Sequence, residues 1–130
     1  MTRPYNIDTH NGCITLTNPA TGGHRTFKIS TQPIDAKFAP GKRIIALLTG
    51  ADNENSYTGF GFVNPGKISL WRNKQTQQFQ QYVDMIERPE HYMARGVQYL
   101  FEGRCIRCNR KLTRPDSIEL GYGSECAKLL

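Results

Sequence analysis

Hydrophobic and polar residues alternate clearly in the first half of the chain. In "CITLT", Ile14 and Leu16 alternate with threonines, the period-two signature of a half-buried strand. "NPATGG" then supplies a dense run of turn formers, and "HRTFKIS" alternates again through Phe27 and Ile29, so the pair reads as a hairpin. "KRIIALLT" lacks polar alternation, as expected of a strand buried on both faces. "YTGFGFV" and "KISLW" flank the turn "NPGK". Residues 12 to 72 thus predict an antiparallel sheet of about five strands.

The period changes after residue 75. Phe79, Tyr82, Val83 and Ile86 fall at i, i+3, i+4 and i+7, the apolar stripe of an amphipathic helix, and Gln75, Gln77, Gln78, Gln80 and Gln81 give it a weakly charged polar face. Pro89 interrupts this helix. A second helix from about Glu90 would place Met93, Val97, Leu100 and Phe101 on one side and lead directly to Gly103. Neither an internal repeat nor a Gly/Ser linker divides the chain, and 130 residues is the size of one domain. The expected class is α+β: a sheet and two-helix body over 1–102, with a small zinc-ribbon-like cysteine module over 103–130 packed on it as one structural unit.

Composition narrows the setting. The longest aliphatic run, Ile44 to Leu48, is far too short to span a bilayer, and the start "MTRPYNID" has no apolar core of a secretory signal. A cytoplasmic protein with reduced thiols is expected. The net charge of +6 favours acidic partners, of which nucleic acid is the commonest large polyanion. The acidic and amide groups of "TGADNENS" do not match the ligand spacing of an EF-hand and read as a hairpin loop. Gly59 and Gly61 precede no helix that would receive a phosphate, so they fit a bent or closely packed strand better.

The chemistry concentrates in "GRCIRCNRKLTRPDSIELGYGSEC", residues 103 to 126. Cys105 and Cys108, spaced C-x2-C, allow one tight turn to present two thiolates to a tetrahedral ion, and Cys126 follows at a distance that permits return to the same point. Asn109 tolerates the left-handed conformation that follows the second cysteine of a zinc knuckle, and Gly121 and Gly123 give the returning segment similar freedom. A thioredoxin-like pair would sit where a strand meets a helix, whereas here Asn, Arg, Lys, Thr and Pro follow. Zn2+ is therefore the expected cofactor, held by Cys105, Cys108 and Cys126. A structural zinc takes four ligands. Cys13, His91, Asp116, Glu125 and water are the options for the fourth, while His10 and His24 read as isolated, solvated side chains. No H-x-E or H-E-x-x-H signature supplies a base, and no Ser-His-Asp or Cys-His nucleophile assembles, so no enzymatic activity is expected.

"GRCIRCNRKLTRPDSIELGYGSECAKLL" resembles the C-terminal module of a family of small phage and prophage proteins of unknown function. Their pattern is Gly-x-Cys-x-x-Cys-Gly/Asn-Arg-x-Leu-Thr-x-Pro-x-Ser-x(3)-Gly-x-Gly-x-x-Cys. Cys105, Cys108, Arg110, Leu112, Thr113, Pro115, Ser117, Gly121, Gly123 and Cys126 fit it, while Ser124 stands where many relatives carry Pro. "HRTFKI", "PGKRIIALLTG" and "FGFV" resemble longer members more loosely. The resemblance implies a zinc-finger-like module and a viral or mobile-element origin, hence a host cell's cytoplasm. It assigns no activity.

Arg104, Arg107, Arg110, Lys111 and Arg114 lie close together with no acid among them, on a loop that a metal would hold rigid. Preorganised arginines bind phosphate at low ordering cost. The alternative use of these side chains is a solvated surface that pairs with Glu102, Asp116 and Glu119. Tyr57, Phe60, Phe62 and Trp71 would stack single-stranded bases if they faced outwards, although alternation places Phe60 and Phe62 on one face, the usual mark of a core. Two partners are expected. One is DNA or RNA, bound through the basic cysteine module. The other is a host protein of the transcription, replication or defence machinery, which a phage effector would bind and modulate through an acidic surface.

Overall fold

The computed structural model describes residues 5–50, 56–104 and 111–112. The five expected strands form as β1 (Asn11–Asn18), β2 (Gly23–Thr31), β3 (Arg43–Leu48), β4 (Tyr57–Asn64) and β5 (Lys67–Leu70). Helix α1 (Gln77–Glu87) comes next, then a short α2 (Pro89–Met93) and a sixth strand, β6 (Gln98–Arg104). The sheet is antiparallel throughout, in the order β5-β4-β3-β2-β1-β6.

A second helix does start beside Glu90, as expected, but it stops at Met93, and the sixth strand replaces the rest of it. Met93, Val97, Leu100 and Phe101 do fit a helical stripe, but Val97, Tyr99 and Phe101 also repeat with period two, and all three are good strand formers. Gly96, at φ 97°, ends the helical path, and the edge of β1 then pairs with every residue of β6. Backbone pairing along a whole strand outweighs a helix of little more than one turn. Tyr99 and Phe101 pack on the core, whereas Leu100 is 71% exposed. The division drawn between residues 102 and 103 therefore falls inside β6.

Ile14, Leu16, Phe27, Ile29, Ile45, Phe60, Val63 and Ile68 form the sheet's contribution to the core, and α1 covers them with Tyr82 and Ile86. Thr76 caps the start of α1 by accepting the Phe79 N–H. The phenols of Tyr5 and Tyr99 donate to the carbonyls of Ile86 and Met85 at its end. The strand "KRIIALLT" lies inside the sheet with adjacent Ile45 and Ala46 both buried, in keeping with cover on both faces.

The register of β4 against β3 shifts between Ile45 and Ala46, which pair with Gly61 and Gly59. Phe60 is the extra residue of this bulge. It turns into the core against Phe27 and Phe79, while Phe62, opposite Ile44, emerges on the other face beside Trp71. Phe60 and Phe62 therefore do not share a face; the bulge breaks the alternation on which that expectation rested. A Cβ on Gly59 would lie 2.6 Å from Trp71 Cη2, so glycine here lets the indole lie against the strand.

The segment before β1 also belongs to the core, through Tyr5 and Ile7. Its turn is held by the Asn6 carbonyl, which accepts from Thr9 and His10, and by Arg43. The Arg43 guanidinium donates to the carbonyls of Ile7, Asp8 and His10 and to Oδ1 of Asn11. Among the described residues no helix is long and apolar enough to cross a membrane.

Candidate functional site

The cysteine region grows from the sheet edge. β6 ends at Arg104, Lys111 bridges back to Arg104 in antiparallel fashion, and the Leu112 N–H donates to the Gly103 carbonyl at 2.9 Å. Leu112 is buried. The two ends of the segment 105–110, which carries Cys105, Arg107, Cys108 and Arg110, are thus held side by side. Those four residues, with Arg114, Asp116, Glu125 and Cys126, lie outside the described residues, as does most of the loop "TGADNENS". Gly12 makes the edge possible: at φ 154° it brings β1 so close to β6 that a Cβ would collide with the Glu102 carbonyl oxygen.

Of the five basic residues, Arg104 and Lys111 are described, and both face Glu102. Arg104 Nη2 donates to one carboxylate oxygen at 3.0 Å, and Lys111 Nζ lies 3.9 Å from the other. Their side-chain exposures separate their roles: 16% for Arg104 and 59% for Lys111. Arg104 is chiefly a structural partner of Glu102, whereas Lys111 keeps its ammonium at the surface. Glu102 stands just outside the acid-free run of sequence; the neighbour across the turn supplies what the run itself omits.

The options for a fourth ligand separate by position. Cys13, a free thiol, pairs with Glu102, two residues before the end of β6, and its Sγ lies 3.9 Å from the Tyr57 hydroxyl. His91 is on α2, which leads into the far end of β6, about 20 Å from the end that continues to Cys105. His10 is not the solvated side chain expected: its ring stacks on Phe101 at 5.7 Å, and its Nδ1 accepts the Asn6 N–H. His24 is exposed, as expected. No group of three or more His, Cys, Asp or Glu that could hold a metal is present among the described residues.

A second constellation lies on the face turned away from α1. Phe38 stacks on Phe62 with ring centroids 6.1 Å apart and 16° between planes, and Trp71 stands steeply against both, at 5.2 Å from Phe38 and 5.7 Å from Phe62. With Ser69, Leu70, Arg72 and Asn73 they line a cleft of about 550 Å³. Phe38 is 52% exposed. Its loop is fixed by Gln32, whose backbone pairs with Lys42 and Gly41 and whose side chain donates to the Phe38 carbonyl. The sequence pattern gives no sign of Phe38, because a single aromatic in an irregular Pro- and Gly-containing loop carries no periodic signal. Tyr57 is engaged separately, under Lys28, whose Nζ lies 5.4 Å from its ring centre.

An antiparallel sheet of six strands with two helices defines a small α+β protein, with an aromatic cluster on the sheet face turned away from α1. Residues 100–130 match the model of a family of unknown function, DUF6011. No curated protein and no solved structure matches the chain.

Proposed function

We propose that the chain is a phage-type, non-catalytic zinc protein that binds nucleic acid through its basic cysteine module. The observation that carries this reading is the closure of Gly103–Arg104 onto Lys111–Leu112, which holds the ends of the Cys105–Cys108 segment together as a two-cysteine zinc knuckle requires. Cys105, Cys108 and Cys126 would hold the ion. The positions of Cys13 and His91 favour a fourth ligand from Asp116, Glu125 or water. Arg107, Arg110, Lys111 and Arg114 would meet phosphates, with Arg104 bracing the turn through Glu102.

Native mass spectrometry should find one zinc per chain, lost on Cys108→Ala; a folded, metal-free protein would contradict the metal assignment. An electrophoretic shift should weaken as salt rises, with a slope of about −3.6 in log K against log salt if about four phosphates of a duplex are engaged. The double change Arg107→Glu and Lys111→Glu should abolish the shift, and unchanged mobility at low salt would sink the nucleic-acid reading. The Lys111 side chain, 59% exposed, suits a second reading as well, a host protein with an acidic surface as the partner. Capture from nuclease-treated host lysate would then retain one stoichiometric protein.

A further inference from the structure

From the Phe38–Phe62–Trp71 cluster we infer a base-stacking site, so that the ligand is single-stranded nucleic acid crossing the sheet face opposite α1. This rests on the nucleic-acid reading above and names its substrate class. Three aromatic rings in mutual contact, one of them 52% exposed, form the wall of an open cleft. Its remaining lining is Ser69, Leu70, Arg72 and Asn73: one exposed cation, small polar groups and no carboxylate. That combination suits an unpaired base against a ring with its phosphate near a guanidinium, because every base offers a flat face regardless of sequence. An acidic protein surface would use the cation and leave the rings without a planar partner.

The platform is preorganised. Trp71 lies against Gly59, its backbone N–H donates to the Phe60 carbonyl, and Gln32 pins the Phe38 loop, so little ordering remains for a ligand to impose.

Position supports a continuous path. Phe62 pairs with Ile44, Ile44 with Ser30, and at the same end of the sheet Asn11 pairs with Arg104. The aromatic cluster and the root of the cysteine hairpin therefore lie at one end of the sheet, separated by four strand spacings, or about 19 Å. A short single strand can lie across that distance, with a base on the rings and its backbone continuing to the exposed Lys111. A duplex keeps its bases stacked inward and offers the cleft nothing.

The chain's one tryptophan is part of the site, so its emission is a direct probe. Oligothymidylate and oligouridylate of about ten nucleotides should quench Trp71, and a duplex of equal length should not. Phe38→Ala, at a position too exposed to unfold the sheet, should weaken single-strand binding about tenfold; Arg72→Glu should weaken it further. Quenching by one oligonucleotide and not the other still supports the site, and oligodeoxyuridylate then separates the effect of the sugar from that of the thymine methyl. Binding without any change in emission, or with unchanged affinity in Phe38→Ala, overturns it. If Phe38→Ala weakens binding while Arg107→Glu with Lys111→Glu does not, the stacking site stands and the cysteine-module reading falls. The reverse pattern sinks the stacking site alone, and no binding by any strand sinks both.

Discussion

Arg43 offers the sharpest test of what holds the sheet's end together. Its guanidinium makes hydrogen bonds from all three nitrogens: Nε to Asn11 Oδ1 at 3.0 Å, Nη1 to the Ile7 carbonyl at 2.6 Å and the Asp8 carbonyl at 3.3 Å, and Nη2 to the His10 carbonyl at 2.6 Å. Burial pulls its pKa below the ordinary arginine value, with Asp8 opposing, so the cation occupies a partly dehydrated place for the sake of these acceptors. Arg43→Met keeps most of the stem and removes every donor. A hydrogen bond from a charged group is worth about 1.5–3 kcal/mol, and an acceptor left buried costs about 1–3 kcal/mol. Asn11 is 2% exposed and the Ile7 side chain is in the core, whereas Asp8 is exposed and its carbonyl can turn to water. Counting three of the four bonds, and allowing for the relief of a partly buried charge, the net loss should be about 3 kcal/mol. In a domain of this size that lowers Tm by about 10–15 °C. Arg43→Lys keeps the charge but not the fork of donors, and should lose about half as much. Urea melts followed by Trp71 emission and by far-UV circular dichroism would measure both. A loss below about 1 kcal/mol for the methionine variant, or a lysine variant equal to the parent, would refute the role assigned to the guanidinium.

Gly12→Ala should cost about 2–4 kcal/mol, since it meets both the Glu102 carbonyl and a backbone angle suited to glycine; fast amide exchange confined to residues 98–104 would mark the opened edge, and unchanged protection there would contradict the close approach. Gly59→Ala should displace the indole and shift the Trp71 emission maximum while leaving the strand content intact, and an unshifted spectrum would show that the ring is not held against the strand. Hydrogen bonds from Arg88 and then Tyr92 hold the Asp84 carboxyl down at about 2. Because an unfolded aspartate titrates near ~3.9, the stability gained from this cluster is full above that value and disappears as pH falls towards 2. Asp84→Asn should therefore melt earlier than the parent at pH 7 and together with it at pH 2; a gap that does not change with pH would refute the linkage.

Period-two alternation located β1 and β2 because each presents one face to the core, the unbroken apolar run of β3 marked a strand inside the sheet, and the Phe79–Ile86 stripe located α1 by the face it turns to the same core. The sixth strand was hidden because this stretch carries a helical stripe through Val97, Leu100 and Phe101 and a period of two through Val97, Tyr99 and Phe101, and only an available edge on β1 decides between them. The bulge at Phe60 was equally invisible: one extra residue leaves the sequence pattern intact while moving Phe62 to the opposite face. Arg43 looked like a charge at the start of a strand, since its partners are backbone carbonyls that no side-chain pattern advertises. At the candidate site, the cysteine spacing, the basic run and its pairing with Glu102 were legible, but the contribution of Phe38 depends on contacts between a loop and a sheet.

The pairing of β1 with β6 sets the order in which the fold is completed. Cys13 faces Glu102, so β1 waits for a strand made 89 residues later (102 − 13). Local hairpins such as β1 with β2 and β4 with β5 close cheaply and early, while this long-range contact carries the largest loop-closure cost. Until it forms, β1 presents a bare row of backbone donors and acceptors, with Ile14 and Leu16 on an unfinished core. A nascent or truncated chain ending before Gln98 is thus the species most exposed to edge-to-edge aggregation through β1, and arrival of β6 both covers that edge and delivers the cysteines next in the chain.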